Sequence, residues 1–276
     1  MPNQSPAWSW GKKSDEDVIF SDSPLLDTIS WEDAFEGSTG RGVKVCVVDS
    51  GIDNHHPAIA GAVKGWIEPI LDGEGNVTFN PDPHEDLFGH GTACGGIIRG
   101  IAPDVELYSV RVLGQRLSGK AATFSAGLRW AIENGMHIVN LSMGATVQEY
   151  FSVFHELADE AYFKGMIWVT AANNMPVVSY PSLYATSISV ACYEGDSFDE
   201  PIEFYFNPLP PVEFGAKGVD VKVAWREEGY ITATGNSFAA PHITGIVALL
   251  LEKHPQLTAY QVKTVLRSLA KNVRKP

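Results

Sequence analysis

Val43-Lys44-Val45-Cys46-Val47-Val48-Asp49-Ser50-Gly51-Ile52-Asp53 sets the architecture of everything around it. Val43–Val48 is nearly continuous, β-branched and apolar, which is the pattern of a strand buried on both faces. At its carboxyl end stands Asp49, and Gly51 turns the chain away. In open α/β sheets that edge is where ligands are handled. Working outward, the pattern alternates. Thr92–Arg99 is small and apolar and predicts a packed helix. Val105–Val112 predicts a strand, Ala121–Asn134 a helix ending at Gly135, and His137–Ser142 a strand. Gln148–Lys164 predicts a helix before Gly165, Met166–Ala172 a buried strand and Ile188–Cys192 a shorter one. Ser237–Glu252 predicts an apolar helix with Pro241 in its first turns. Thr258-Ala-Tyr-Gln261 matches a capping box ahead of a last helix to about Ala270. Strand and helix in alternation mean right-handed crossovers onto a mostly parallel sheet flanked by helices.

The composition agrees with that class. The chain has 276 residues, 20 Lys+Arg against 33 Asp+Glu and a net charge of −13. So acidic a surface repels phosphate, which argues against nucleic acid and anionic membrane as partners. Hydrophobic residues at 45% exclude wholesale disorder. The apolar stretch Ile246–Leu251 is far below the ~18 residues of a membrane span. Three cysteines, Cys46, Cys94 and Cys192, lie in apolar or glycine-rich surroundings and do not form a disulfide framework. The N-terminus shows no apolar signal region. A cytoplasmic location is therefore expected. Residues 1–28 are polar and acidic and are expected to be an extended arm or pro-like segment. Residues 29–276 form the remaining domain.

Three segments carry candidate chemistry. Each also has an ordinary reading. Asp49 could be a strand-ending turn residue. His90, in Gly89-His90-Gly91-Thr92-Ala93-Cys94-Gly95-Gly96, could be a histidine in a glycine turn. Ser237, in Thr234-Gly235-Asn236-Ser237-Phe238-Ala239-Ala240-Pro241-His242, could be an N-cap. Ser237 instead stands at a helix N-terminus where free N–H groups favour a developing negative charge. Asp, then His, then Ser is one of the chain orders of convergent serine hydrolases.

On these residues the chain resembles the subtilisin-like serine proteases (subtilases) from about Trp31 to Leu269. The family's motifs stand here as VVDSGID, GHGTACGG and GNSFAAPH, with Ile101-Ala-Pro103, Val139–Gly144, Ala171–Asn174 and Tyr180-Pro181 in support. The resemblance implies a three-layer subtilisin-like fold, with 29–276 as catalytic domain, and a serine endopeptidase. It implies Ser237 as nucleophile, His90 as base and then acid, Asp49 as its orienting carboxylate, and Asn174 with the Ser237 N–H as oxyanion donors. A peptide substrate would bind as an added β-strand between Ser118-Gly119-Lys120 and Ser142-Met143-Gly144, with Ala171, Ala172 and Asn173 walling the primary pocket.

The chain also departs from the family pattern. Asn173 stands where glycine is usual and is expected to narrow the pocket or add a polar contact. Asn236 replaces a threonine and Phe238 a methionine, swaps expected to adjust packing around Ser237. Eleven residues separate His90 from Ala102, too few for the calcium-wrapping insertion of many secreted members, so no calcium is expected there. No cofactor is implied. Cys94 is one helical turn from His90; it is a buried small hydrophobe or, less in keeping with its surroundings, a thiol within reach of the imidazole. Asp53, His55, His56, His84 and Asp86 lack metal-ligand spacing, and no metal is expected of them. Tyr193–Phe214 reads as a solvated hairpin, with recognition of a basic partner as the sharper alternative. Two rival functions stay open: peptide tailoring, by leader cleavage or macrocyclisation, and a catalytically silent peptide-binding module.

Overall fold

The computed structural model describes residues 29–193, 198, 202–209 and 211–273. The expected arm, 1–28, and the acidic positions Asp196, Asp199 and Glu200 lie outside the described residues.

The run that opened the sequence reading is strand β1 (Lys44–Asp49), and its alternation explains the layers. Val45 and Val47 point into one core and Cys46 and Val48 into another. A strand with apolar side chains on both faces must be covered twice. The first core is closed by α2 (His90–Ile101), α5 (Asn236–Lys253) and α6 (Ala259–Leu269). The second is closed by α3 (Ala121–Glu133) and α4 (Phe151–Phe163). The three-layer α/β expectation is met.

Among the described residues the sheet has nine strands, in the order β3-β2-β4-β1-β5-β6-β7-β9-β8. These are β2 (Val63–Leu71), β3 (Val77–Asn80), β4 (Glu106–Arg111), β5 (Ile138–Leu141), β6 (Ile167–Ala171), β7 (Ile188–Cys192), β8 (Tyr205–Phe206) and β9 (Phe214–Ala216). Strands β2 through β9 of the interior pair in parallel, and β3 and β8 close the edges antiparallel. β1 has β4 on one side and β5 on the other, so the chain reverses its direction of winding there. That is the topological switch point at which such sheets open a crevice.

Most predicted elements appear within a residue or two. The expected helix over Gln148–Lys164 begins instead as a 3-10 turn, Gln148–Tyr150, before α4. The capping box is present: Thr258 and Gln261 each satisfy the other's backbone N–H. The hairpin expected in Tyr193–Phe214 is the β8–β9 pair, with Tyr193 stacked on Tyr205 at 3.7 Å, but it is not solvated: Phe204, Tyr205 and Phe214 are buried because β9 joins the main sheet beside β7. Three elements escaped the pattern reading: the helix α1 (Trp31–Phe35), the β2–β3 hairpin, and a hairpin of β10 (Val221–Ala224) and β11 (Tyr230–Ala233). β2 carries Gly65 and Pro69 and is only partly buried, so its periodicity is weak. No helix among the described residues is long and apolar enough to cross a membrane.

Candidate active site

Side-chain alternation aims the first group. Asp49 shares the face of Val45 and Val47, so its carboxylate points to the layer of α2 and α5. There His90, the first residue of α2, meets it: both carboxylate oxygens lie 2.9 Å from His90 Nδ1. Asp49 is fully buried, and its Oδ1 also accepts the Ser50 N–H at 2.7 Å. Close approach requires the glycine after the histidine, because a Cβ on Gly91 would sit 2.1 Å from the Gly51 carbonyl oxygen and 3.2 Å from Asp49 Cβ.

Burial pulls the His90 imidazole toward neutrality. The Asp49 charge, Cys94 and the hydrogen bonds to both outweigh it, so the pKa stands well above the ordinary 6.5. A carboxylate on Nδ1 also fixes the tautomer, leaving Nε2 as the basic nitrogen once the ring is neutral.

Asp86 holds this arrangement from below. Its place in the sequence, near His55, His56 and His84, has no metal-ligand spacing. The structure makes it the anchor of α2 instead. Its buried carboxylate accepts five hydrogen bonds, from the Phe88, Gly89 and Thr92 N–H groups and from the Ser50 and Thr92 hydroxyls. A negative charge is favoured at a helix N-terminus, and this one accepts the Gly89 and Thr92 N–H groups there. The neighbouring histidines do not converge on it. His56 Nε2 donates to the Gly229 carbonyl at 2.9 Å while its Nδ1 accepts the Ala58 N–H, and His84 Nε2 meets Ser109 Oγ. Burial, with help from Arg111, brings His84 down to about 4.

Ser237 is the second residue of α5. Gly235 precedes the helix, and a Cβ there would lie 3.3 Å from Ser237 Oγ and 3.6 Å from Asn174 Nδ2. The hydroxyl and the carboxamide N–H group therefore face one small space that glycine keeps empty. Among the described residues neither the Ser237 hydroxyl nor its backbone N–H has a hydrogen-bond partner. The structure thus brings Asp49 and His90 into contact, and places Ser237 with Asn174 without joining its hydroxyl to the imidazole.

Asn174 is oriented by the backbone of α5, since its Oδ1 accepts the Asn236 N–H at 2.9 Å and leaves Nδ2 toward the open space. Asn236 is more than a packing swap. Its fully buried carboxamide accepts the Cys192 N–H at 2.8 Å and donates to the Ala172 and Asn173 carbonyls. It fastens the end of β6, the end of β7 and the start of α5 together. A polar residue next to a candidate nucleophile was visible in the sequence; its reach across two strand ends was not.

The proposed peptide-binding edges follow β4 and β5, the two neighbours of β1. Gly119 crosses so near the Val112 carbonyl that a Cβ would sit 2.3 Å from its oxygen. Ser118 and Lys120 flank it, exposed. Across the crevice, Ser142-Met143-Gly144 is backed by a bridge between Ala145 and Tyr180. The Ala171 and Ala172 methyl groups pack into the interior, Ala172 with Ala191 and Val212, so what these residues offer a pocket is main chain. Asn173 turns back on its own loop, its Oδ1 accepting the Met175 N–H at 2.8 Å. Of the two expectations for this side chain, the polar contact is the one seen, and it is made within the loop.

Cys94 is fully buried, which raises its pKa and keeps it a thiol; it lies 4.0 Å from both Asp49 Oδ2 and His90 Nδ1. Asp49, His90 and Cys94 are the group among the described residues whose donor atoms come close enough to hold an ion. A protonated thiol and a histidine already bonded to a carboxylate are poor ligands for one. The interval expected to be too short for a calcium loop is the uninterrupted helix α2.

Known proteins resemble the chain over most of its length. Subtilisin Savinase of Lederbergia lenta is 33% identical over 247 residues, covering 85% of each chain. Alkaline elastase YaB of Bacillus sp. (strain YaB) is 32% identical over 248 residues, 86% of this chain but 61% of the relative, so the chain spans about three fifths of that protein's length. The solved structure of the S41 psychrophilic protease superimposes with a TM-score of 0.69 at 25% identity, covering 84% of each chain. The Subtilase family profile matches residues 40–276, and the chain belongs to the subtilase family.

Proposed function

We propose that the protein is a serine endopeptidase using Asp49, His90 and Ser237, with Asn174 and the Ser237 N–H as oxyanion donors. The observation that carries this reading is the two-oxygen contact of Asp49 with His90 Nδ1 on the same rim as an unencumbered Ser237 hydroxyl. Neutral His90 takes the Ser237 proton through Nε2 as Oγ attacks the scissile carbonyl. The oxyanion forms in the space that Gly235 leaves open, between the Ser237 N–H and Asn174 Nδ2. His90 then gives the proton to the leaving amine, and water repeats the sequence on the acyl-enzyme. The hydroxyl–imidazole hydrogen bond, not made in the free protein, is one that closes as substrate binds.

The substrate is an extended peptide pairing with Ser118–Lys120 on one side and Ser142–Gly144 on the other, its recognition mainly through backbone. Three buried thiols need no oxidising compartment, in keeping with a cytoplasmic location. Hydrolysis is favoured over macrocyclisation because β2 and β3 fill much of the Asp49–His90 interval with a sheet-edge hairpin rather than a cover for the acyl-enzyme.

A fluorophosphonate probe tests the reading. Wild type is expected to take one label, and Ser237→Ala none. An unlabelled wild type, or a labelled Ser237→Ala, overturns it and leaves the silent peptide-binding module. Peptide products lighter than hydrolysis products by one water would replace hydrolysis with ring closure.

A further inference from the structure

Pro241 lies inside α5, four residues after Ser237. A proline has no N–H, and its ring presses on the carbonyl four residues back. The carbonyl that loses its helix donor is therefore that of Ser237 itself. A buried carbonyl without a partner is costly, so something else must serve it.

Ser142 does. Its hydroxyl donates to the Ser237 carbonyl at 2.9 Å. Ser142 follows β5, and with Asn140 it points to the α5 side of the sheet. The Ser142 oxygen in turn accepts from Asn140 Nδ2 at 3.0 Å and from the Cys94 thiol at 3.3 Å. Asn140 Oδ1 accepts from the Thr244 hydroxyl at 2.9 Å. The directions from Asn140 to Ser142 to Ser237 are fixed, while the Thr244 hydroxyl shares its one proton between Asn140 Oδ1 and the Ala240 carbonyl at 3.1 Å. A carboxamide nitrogen only donates, a carboxamide oxygen only accepts, and the Ser142 hydroxyl has one proton to give. Asn140 and Thr244 are fully buried, and Ser142 is 9% exposed. Hydrogen bonds aligned in series in such surroundings strengthen one another. The thiol of Cys94, also 3.6 Å from the Ser237 carbonyl, ties the same point to α2 and hence to His90.

We propose that Ser142 is a positioning residue for the nucleophile: its hydroxyl, held by the Thr244–Asn140 relay, replaces the helix donor that Pro241 removes and fixes the Ser237 peptide relative to His90. This rests on Ser237 being the nucleophile. It gives the Ser142 side chain a task separate from that of the Ser142–Gly144 main chain as a substrate edge. It also explains why a small residue with a hydroxyl stands at that edge, where an alanine would fit the space but leave the Ser237 carbonyl only the longer contact from the Cys94 thiol.

The test is a double-mutant cycle of Ser142→Ala with Pro241→Ala, read as fluorophosphonate acylation rate and as kcat and KM on a peptide. Losing one hydrogen bond of this kind is expected to slow acylation and kcat about tenfold with KM changed less than about twofold. In the Pro241→Ala background residue 241 has an N–H to give the carbonyl, so the same Ser142 change is expected to cost less than about threefold. Acylation by Ser142→Ala as fast as wild type, or an equal cost in both backgrounds, overturns the proposal. A rise in KM at constant kcat also overturns it, since that marks a substrate contact only. Should Pro241→Ala not fold, Thr244→Val stands in: breaking the far end of the relay is expected to slow acylation about threefold, and an unchanged rate overturns the proposal. A wild type that takes no label would sink the endopeptidase reading itself, which separates that failure from this one.

Discussion

Two helices begin at the crevice, each directly after a glycine, and they begin in opposite ways. At α2 carboxylate and hydroxyl take up most of the N–H groups: Asp86 takes those of Gly89 and Thr92, together with that of Phe88 just before the helix, and Ser50 takes that of Gly91. At α5 the Asn236 N–H is used to aim Asn174, and the Ser237 N–H is left free. An N-terminus occupied in this way is rigid and already carries its negative charge. An open one attracts a negative charge that has yet to form. On the proposed mechanism the first suits a base whose position must not change, and the second suits an oxyanion that exists only transiently. The lesson is that the same local element, a glycine followed by a helix start, serves opposite electrostatic ends depending on whether the fold supplies a carboxylate.

The comparison can be broken most severely at the closed end. Asp86→Ala takes the acceptor from three N–H groups, two of them buried, and from two hydroxyls, and is expected to cost about 3–5 kcal/mol of stability, read by denaturant unfolding. A loss under about 1 kcal/mol would mean that water replaces the carboxylate easily and that α2 needs no anchor. At the open end, Asn174→Ala is expected to lower kcat about 10²–10³-fold with little change in Tm, a magnitude carried over from the equivalent change in subtilisin, itself a relative. Equal activity would show that the open N-terminus works alone. One step further back, Asn236→Ala removes the clamp but not the donor. A fall in kcat of about tenfold is expected, together with a modest drop in Tm, since both strand ends lose a hydrogen bond.

The charge difference between the ends also has a pH signature. With the His90 pKa held well above 6.5 by Asp49, kcat/KM is expected to rise with pH along a limb centred above that value. In Asp49→Asn the limb should move to lower pH as overall activity collapses. The stability consequence has the opposite sense. A histidine whose folded pKa is raised stabilises the fold fully below its unfolded value of about 6.5 and loses that contribution as pH rises through the folded value. A pH profile of unfolding free energy, wild type against His90→Gln, would read this directly. The smallest expected effect is that of a chelator: EDTA should shift Tm by less than about 1 °C, because α2 leaves no loop between His90 and Ala102 to wrap calcium.

Much of this site was legible before any coordinates. Asp49, His90 and Ser237 stood out because each lies within two positions of a glycine at the end of a patterned segment, and Asn174 because the resemblance to the subtilases points to it. Asp86, Asn236 and Ser142 as hydrogen-bonding side chains did not stand out. Each acts at a distance in sequence, Asp86 on Ser50, Asn236 on Cys192, and Ser142 on Ser237, 95 positions away. Local pattern carries no trace of such partnerships. The same reason accounts for Asn173, whose identity was plain but whose rotamer depends on a turn to Met175.

By itself the sequence determined the strand with two apolar faces, hence the covered parallel sheet, and the order in which acid, imidazole and hydroxyl arrive at its rim. Side-chain periodicity is a local property of the backbone, so those conclusions needed no tertiary information. Only the tertiary structure decided which helix start is sealed and which stays open, and which side chain serves the carbonyl that Pro241 cannot. Those outcomes depend on donors and acceptors meeting across layers, and a buried polar group is satisfied by whatever the fold brings near it.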